Sequence, residues 1–278
     1  MGPFQMEPFQ YRDNKVPMFE LTAWQNQFPH LRVGFSARKA GEDADCRNYA
    51  LHVGDRPRLV VDNRRELSEE LDFPFDAWTC AEQVHGVHIE QVSAADRGKG
   101  KDGRQTAYQE TDGLFTREPG VLVVAYFADC VPLYFYHPQS DLVGVAHAGW
   151  KGTVGQIGAH MIKHFCEQGA KPEEIWVAIG PSIGPCCYEV DERVIGPMRE
   201  VIHSQEALER IAVSHVPGRW QCDLKRANAE IFLQAGILPE HMAVSKWCTS
   251  CDHSYFYSHR RDKGKTGRMV AWIGKQER

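Results

Sequence analysis

The sequence lacks any apolar run long enough to cross a membrane. Its longest apolar stretch spans residues 121–128, whereas a transmembrane helix needs about 20 consecutive apolar residues. Residues 1–13 mix polar and apolar side chains and do not contain the apolar core of a secretory signal peptide. We therefore expect a cytoplasmic location and no membrane partner.

An excess of positive charge is missing as well. The 278 residues include 32 lysines and arginines against 37 aspartates and glutamates, for a net charge of −5. Such a chain has no bulk electrostatic attraction to nucleic acid, so we expect no nucleic-acid partner. Any phosphate group has to be bound by a local cluster of basic side chains.

The cysteines do not form the pattern of a disulfide framework. There are nine of them, an odd number scattered over a long chain, which favours a reducing compartment where thiols stay available for metal binding or catalysis. Cys248 and Cys251 form a single CxxC pair, and the adjacent Cys186 and Cys187 carry little information. We expect these four to be unrelated thiols, because one CxxC pair alone is weak evidence for zinc.

Apolar segments with strand and helix periodicity alternate along the chain, and they predict a mixed α/β (α+β) fold in a single domain. We expect this domain to span residues 31–278, with residues 1–30 as an N-terminal leader and edge segment. The predicted strands are 31–36, 79–92, 121–125, 131–136, 142–146, 175–179, 242–248 and 268–273. The predicted helices are 60–71, 153–165, a segment within 191–203, and 223–236, and residues 97–109 are predicted to be a mobile loop.

Three residues at the ends of apolar segments are candidates for a metal site. Cys130 follows one such segment, His147 ends another, and His85 lies in a short polar turn. One thiolate and two imidazoles are typical of a catalytic zinc ion that keeps one coordination position open. Two alternatives remain: three unrelated buried residues, or a Cys130 nucleophile that is activated by His147 without a metal.

Two segments are candidates for binding phosphate. The turn at residues 149–153 combines backbone N–H groups with Lys151, although glycines there also suit a tight connection from strand to helix. The basic segment 258–268 offers arginines whose planar donors match phosphate oxygens, although it also suits a solvated loop. Arg38 and Arg64 are further candidates.

Taken together, a set of short motifs resembles the laccase-domain family of the YfiH/YlmD type, once called multicopper polyphenol oxidases and now described as purine nucleoside phosphorylases. The resemblance runs from about residue 31 to the C-terminus. The motifs are Gly34-Phe-Ser-Ala-Arg38, Asn63-Arg64, Gln83-Val-His-Gly86, Asp112-Gly113, Ala128-Asp-Cys-Val-Pro-Leu133, Ala146-His-Ala-Gly-Trp-Lys-Gly152, Gly180-Pro-Ser-Ile-Gly-Pro-Cys-Cys-Tyr188, Arg260-Arg-Asp262 and Lys265-Thr-Gly-Arg268.

The resemblance implies a fold shared with the Cys/His domain of the cytotoxic necrotizing factor, and a zinc ion held by His85, Cys130 and His147. It also implies phosphorolysis of adenosine, inosine, guanosine and S-methyl-5′-thioadenosine, and hydrolytic deamination of adenosine. We assign catalysis to the three ligands and Asp129, with Glu82 as a second candidate proton carrier. We assign contacts with substrate and phosphate to Arg38, Asn48, Arg64, Gly149 and Lys151. A monomer or homodimer is expected.

Some positions depart from the family pattern. Ala37 replaces a threonine, and Tyr257 and His259 alter a C-terminal motif, which affects the expected substrate preference and not the ligands. The older assignment, a copper-dependent polyphenol oxidase, needs several histidine-rich centres. The chain has 13 histidines but no His-x-His pair on neighbouring strands, so we expect any bound copper to be adventitious.

Overall fold

The protein is described by a computed structural model that covers residues 6–39, 41 and 46–277. The strands, in chain order, are β1 (Phe9–Arg12), β2 (Met18–Leu21), β3 (Leu31–Ser36), β4 (Trp78–Cys80), β5 (Ile89–Gln91), β6 (Gly113–Thr116), β7 (Leu122–Phe127), β8 (Val131–His137), β9 (Leu142–Ala148), β10 (Trp176–Ile179), β11 (Glu189–Val190), β12 (Ala212–Val216), β13 (Arg219–Cys222), β14 (Met242–Val244) and β15 (Met269–Lys275). The helices are α1 (Thr22–Gln27), α2 (Pro57–Glu70), α3 (Trp150–Val154), α4 (Ile157–Glu167), α5 (Glu192–Val201), α6 (Gln205–Ile211) and α7 (Leu224–Gln234). In this part of the chain no helix has the length and apolar character needed to span a bilayer.

Two six-stranded mixed sheets form the centre of the molecule. The first has the order β1-β2-β3-β15-β7-β4, and the second has the order β14-β10-β8-β9-β6-β5. Most neighbours are antiparallel, but β4 runs parallel to β7, β5 to β6, and β14 to β10. The chain passes from the first sheet to the second between β7 and β8. The predicted mixed α/β fold is confirmed.

The two sheets pack face to face, and helices cover their outer faces. Along β7, Val123 and Phe127 contribute to the core between the sheets. The alternate residues Leu122 and Val124 contribute to a second core that includes Leu67 of α2. Both faces of β7 are therefore covered, which explains why its sequence is apolar without alternation.

The outer face of the second sheet is covered mainly by α4 and α7. The apolar residues of α4 recur at helical spacing, and Ile157, Met161 and Phe165 are buried against this sheet. Phe232 of α7 packs edge-on against Phe135 of β8, with ring centroids 5.5 Å apart. The result is a four-layer arrangement in which the ends of the strands are the natural place for a cavity.

The structure differs from the predictions in one strand and in the start of one helix. The segment 79–92, predicted as strand with polar turns, forms two short strands, β4 and β5, because the backbone N–H groups of residues 84–86 bond to the Asp112 side chain instead of to a neighbouring strand. The helix expected to begin at Thr153 begins at Trp150 and is interrupted at Gly155, while the Thr153 hydroxyl accepts a bond from Asn228 at 3.0 Å. Residues 9–27 form β1, β2 and α1, which extend the first sheet beside β3. Residues 1–5 of the predicted leader lie outside the described part.

Arg64 joins α2 to two loops. It is 1% exposed, and its Nε donates to the Tyr49 carbonyl at 2.7 Å. Its Nη1 donates to the carbonyls of Gly100 and Lys101 at 2.8 and 2.9 Å, which fixes the segment predicted to be a mobile loop. The guanidinium lies 4.8 Å from the ring centroid of Tyr126. These contacts make Arg64 a structural residue.

We predict that Arg64→Met lowers the free energy of unfolding by about 3 kcal/mol or more, because three buried carbonyls lose their donor at about 1–3 kcal/mol each. Urea denaturation measures this change. The matched control is Arg58→Met on the exposed side of the same helix, which should change the stability by less than about 0.5 kcal/mol. Equal stability of the two variants would contradict the structural role.

Candidate metal centre and cavity

The structure brings the three predicted ligands together at one end of the two sheets. Cys130 lies in the turn where the chain passes from β7 to β8, and His147 lies on β9 opposite Pro132. His85 lies in the loop between β4 and β5. Their ligand atoms are all within 4.8 Å of one another. An ion about 2.0–2.3 Å from each atom fits this arrangement, so the group could bind a metal ion.

Asp112, just before β6, fixes both histidines. Its Oδ1 accepts a hydrogen bond from Nδ1 of His147 at 2.9 Å and another from the backbone N–H of His85 at 3.0 Å. Its Oδ2 accepts from the N–H groups of Val84 and Gly86 at 3.1 and 2.8 Å. Because Nδ1 of His147 is bonded to Asp112, Nε2 is left for a metal or for Cys130.

Two site residues adopt left-handed backbone conformations that L-residues rarely occupy. His85 has a φ of +61° and Asp129 has a φ of +86°. Asp112 holds the first, as described above. Asp129 accepts bonds from the hydroxyls of Thr249 and Ser258 at 2.7 and 3.0 Å and from the N–H of Arg260 at 2.7 Å. These bonds offset the local strain and direct Cys130 toward the histidines.

Gly149 permits the close approach of the turn after β9. A Cβ atom at this position would lie 3.1 Å from Sγ of Cys130 and 3.2 Å from Cδ2 of His85. Both contacts are tighter than ordinary van der Waals packing. A side chain at this position would therefore press on two of the three candidate ligands.

The electrostatics of the three residues favour a thiolate next to an imidazolium when no metal is bound. Burial opposes ionisation of Cys130, but the charge of His147 and the bonds to both histidines bring its pKa down to about 6. Burial likewise opposes charging of His147, but Cys130 and Asp112 raise its pKa to about 9. The bond to His147 keeps the pKa of Asp112 low in spite of its burial. Both shifts favour the thiolate–imidazolium pair around neutral pH.

A cavity of about 410 Å³ opens beside the cluster. This volume suits a small organic ligand. Its wall combines apolar, aromatic and basic side chains, and the described residues that line it are His52, Gln83, His85, Tyr126, Ala128, Asp129, Cys130, His147, Gly149, Trp150, Ile183, Tyr188, Leu224, His259, Arg260 and Arg268.

Of the residues assigned to substrate and phosphate, the structure places only Gly149 in this wall. Lys151 is exposed, with its ammonium 5.9 Å from the ring centroid of Trp150. Arg38 stacks over the Tyr257 ring at 5.3 Å. Both lie outside the described cavity lining, so neither contacts the cavity from its present position.

Asn48, Arg64 and Glu82 are engaged elsewhere. The Asn48 side chain donates to the carbonyls of Ala50 and Val53, both at 3.1 Å, and is buried. The Arg64 guanidinium is taken up by backbone carbonyls, as described above. Glu82 forms an ion pair with Arg104 at 2.7 Å. The assignment of Asn48 and Arg64 to phosphate and of Glu82 to proton transfer finds no support in this placement.

Asp112 and some residues of the cavity wall were not assigned an individual role in the sequence analysis. Asp112 was noted only as part of a motif, and its role as the carboxylate that orients His147 is visible only once the fold brings the two side chains together. His52 and Gln83 were not singled out. Arg260 and Arg268 belong to the basic segment that was predicted as one of two phosphate candidates, and both line the cavity.

We predict that, in the metal-free protein, alkylation of Cys130 by iodoacetamide follows a titration with a midpoint near pH 6. In His147→Ala the imidazolium is lost, so the pKa rises toward the ordinary thiol value of about 8.5 and alkylation at pH 7 slows by about tenfold or more. Peptide mass spectrometry follows the modification of Cys130. His160→Ala, an exposed histidine on α4, is the control. A midpoint near pH 8.5 in the unmodified chain would contradict the described ion pair.

Comparison with known proteins assigns the chain to a family. The family model described as multi-copper polyphenol oxidoreductase laccase matches residues 32–276. A protein named purine nucleoside phosphorylase YlmD from Geobacillus stearothermophilus is 49% identical over 249 residues, which are 88% of this chain and 90% of that protein.

A solved structure and one further relative extend the comparison. The crystal structure of YlmD from Geobacillus stearothermophilus superposes with a TM-score of 0.92 at 43% identity, over 98% of this chain and 100% of that chain. A protein named adenosine deaminase RL5, from an unknown prokaryotic organism, is 32% identical over 227 residues, which are 81% of this chain and 86% of that protein. The predicted family is confirmed: the chain is an enzyme that belongs to the multi-copper polyphenol oxidoreductase laccase family, the laccase-domain proteins of the YfiH/YlmD type.

Proposed function

We propose that the protein is a zinc-dependent purine nucleoside enzyme. Its reactions would be phosphorolysis of adenosine, inosine, guanosine and S-methyl-5′-thioadenosine, and hydrolytic deamination of adenosine. The observation that carries the proposal is the cluster of His85, Cys130 and His147 at the wall of a cavity of nucleoside size. The names of the relatives support the choice of substrate.

His85, Cys130 and His147 would hold the ion. Two imidazoles and one thiolate suit zinc, and three protein ligands leave one coordination position for water or substrate. When bound, zinc supplies Lewis acidity at this point of the cavity. Copper would be adventitious, because the other metal-ligand cluster found among the described residues consists of cysteines alone and adds no histidine-rich centre.

The rest of the cavity offers complementary surfaces to a nucleoside and to phosphate. Trp150, Ile183 and Leu224 form an apolar wall on which a purine ring would pack. Arg260 and Arg268 supply positive charge on the same cavity. The Nη1 group of Arg268 donates to the carbonyls of Thr266 and Gly267 at 2.8 and 3.0 Å, so its guanidinium is held in place.

In phosphorolysis a phosphate oxygen bonds to the anomeric carbon of the ribose while the bond from that carbon to the purine nitrogen breaks. The sugar gains positive character in between. We assign to Arg260 and Arg268 the binding and orientation of the phosphate, which is mainly a matter of positioning and charge stabilisation. The side chains of the apolar wall would exclude water from the reacting centre.

His52 and Asp129 are two groups of the cavity that can transfer a proton, and their surroundings give them different roles. Desolvation in the cavity wall and the nearby Arg268 lower the pKa of His52 to about 4, although the residue is partly open to solvent, so His52 is a neutral hydrogen-bonding group at pH 7. Asp129 already accepts three hydrogen bonds. We therefore assign to Asp129 the positioning of Cys130, and to His52 a contact with substrate.

A second function is favoured by one specific observation. Asp112, His147 and Cys130 form an ordered relay in which the pKa of the thiol is lowered to about 6, as in cysteine hydrolases that work without metal. This alternative is a metal-free Cys/His hydrolase or deamidase. It differs from the zinc enzyme in its response to chelation.

The test is incubation of metal-analysed protein with adenosine, with and without phosphate, followed by chromatography of the products. We expect adenine and ribose 1-phosphate only when phosphate is present, and inosine in both cases. His147→Ala and removal of zinc should each abolish both reactions, and His160→Ala should not. Activity that survives chelation and is lost on alkylation of Cys130 would favour the hydrolase, and absence of all three products would contradict the proposal.

The proposed contact between Arg268 and phosphate can be tested separately through the KM for phosphate. Arg268→Met should raise the KM for phosphate by about tenfold or more and leave deamination largely unchanged, because one charge-assisted pair is worth about 1.5–3 kcal/mol. Arg58→Met is the matched control. An unchanged KM for phosphate would remove Arg268 from the proposed phosphate site.

A further inference from the structure

A second group of thiols lies outside the cavity, where two loops meet. Cys186 and Cys187 lie in the loop that follows β10, and Cys248 and Cys251 lie in the turn that follows β14. The sequence analysis treated these cysteines as unrelated thiols, because a single CxxC pair is weak evidence for zinc. The structure brings all four sulfur atoms within 4.8 Å of one another.

The distances between the sulfur atoms match a tetrahedral metal site. Sγ of Cys186 lies 3.6 Å from that of Cys248 and 3.5 Å from that of Cys251, and Sγ of Cys187 lies 3.4 Å from that of Cys251. A disulfide needs about 2.05 Å, and these four cysteines are free. Four sulfurs at about 2.3 Å from a zinc ion are about 3.8 Å apart, so only small movements separate the cluster from that geometry.

The backbone around the cluster is arranged to receive thiolates. The N–H groups of Gly184, Ser250 and Cys251 all bond to Sγ of Cys248, the first at 3.2 Å. The two loops are joined directly, since the N–H of Thr249 donates to the carbonyl of Ser182 at 3.1 Å. Donors aimed at the first sulfur of a CxxC turn stabilise negative charge on it.

Positive charge lies close to the sulfurs. Lys225 is 5% exposed and near enough to Cys248 and Cys186 to interact with both electrostatically. Its ammonium donates to the Trp247 carbonyl at 2.7 Å. Arg210 and Arg226 border the same surface depression as Cys186. Lys225 offsets part of the charge of −2 that four thiolates and one divalent ion carry together, whereas Arg210 and Arg226 are paired with Glu206 and Asp223.

We propose that Cys186, Cys187, Cys248 and Cys251 form a second zinc site, a structural tetrathiolate. Binding replaces the four thiol protons by the ion, involves no oxidation, and leaves no coordination position open. The site would fix the loop that carries Ile183 and Tyr188 into the cavity and the turn whose Thr249 bonds to Asp129. It is independent of the proposed function, because none of its ligands lines the cavity.

Metal analysis of the whole protein tests the site. We expect about two zinc ions per chain in the unmodified protein and in Cys166→Ser, a control thiol on α4. The double variant Cys186→Ser with Cys251→Ser removes the two exposed ligands and should retain about one ion fewer. A double variant with the same zinc content as the unmodified protein would overturn the proposal.

Cobalt binding to the His147→Ala variant is a second test, and it does not depend on whether a cysteine variant folds. This variant loses the proposed cavity site and keeps the thiol cluster, so cobalt should give the intense sulfur-to-metal charge-transfer absorption of a tetrahedral tetrathiolate. If His147→Ala, which removes the cavity site, also shows no such absorption, the inference is overturned. A disulfide among the four cysteines would also overturn it, if mass spectrometry detects the bond in protein that was purified under reducing conditions and that binds no cobalt. Failure of the nucleoside assay would leave both outcomes unaffected.

Discussion

The carboxylate of Asp112 is the interaction on which the site depends. It bonds to the ring of His147 and to three consecutive backbone N–H groups of the loop that carries His85. One buried charge therefore fixes a side chain on β9 and a strained loop between β4 and β5. Asp129 fixes the position of Cys130 in the same way. Its three hydrogen bonds join the turn between β7 and β8 to residues 249–260. The metal-ligand cluster is thus held by two carboxylates that are not its ligands.

The same geometry supports two chemical states. Without a metal, Cys130 and His147 stabilise each other as an ion pair, with pKa values of about 6 and 9. In the proposed zinc enzyme the same sulfur and ring nitrogen become ligands, so the two states are mutually exclusive. This gives a physical reason why one cluster suits both a metalloenzyme and a cysteine hydrolase. The three residues do not select a substrate by themselves, so the residues of the cavity wall have to do so.

The sequence predicted those parts of the fold that follow from apolar periodicity. β3 and α2 were predicted within a few residues because their apolar side chains alternate or recur at helical spacing, and β8 because it is a short continuous apolar run. β12 and β13 were not predicted, since β12 is mostly exposed and its sequence has no apolar alternation. Arg64 illustrates the limit for the site: its charge suggested phosphate, and only the packing shows that backbone carbonyls occupy its donors. The two cysteine pairs were not predicted to form a cluster, because long-range folding and not their spacing in the sequence brings them together.

The most direct test of the account is the zinc affinity of Asp112→Asn, measured by competition with a chromophoric chelator. This substitution keeps the size of the side chain and removes the charge that orients His147 and the loop of His85. The account predicts that zinc binding to the cavity site weakens by about 10–100-fold while the thermal unfolding transition remains cooperative. An unchanged affinity in a folded variant would contradict the central role of Asp112.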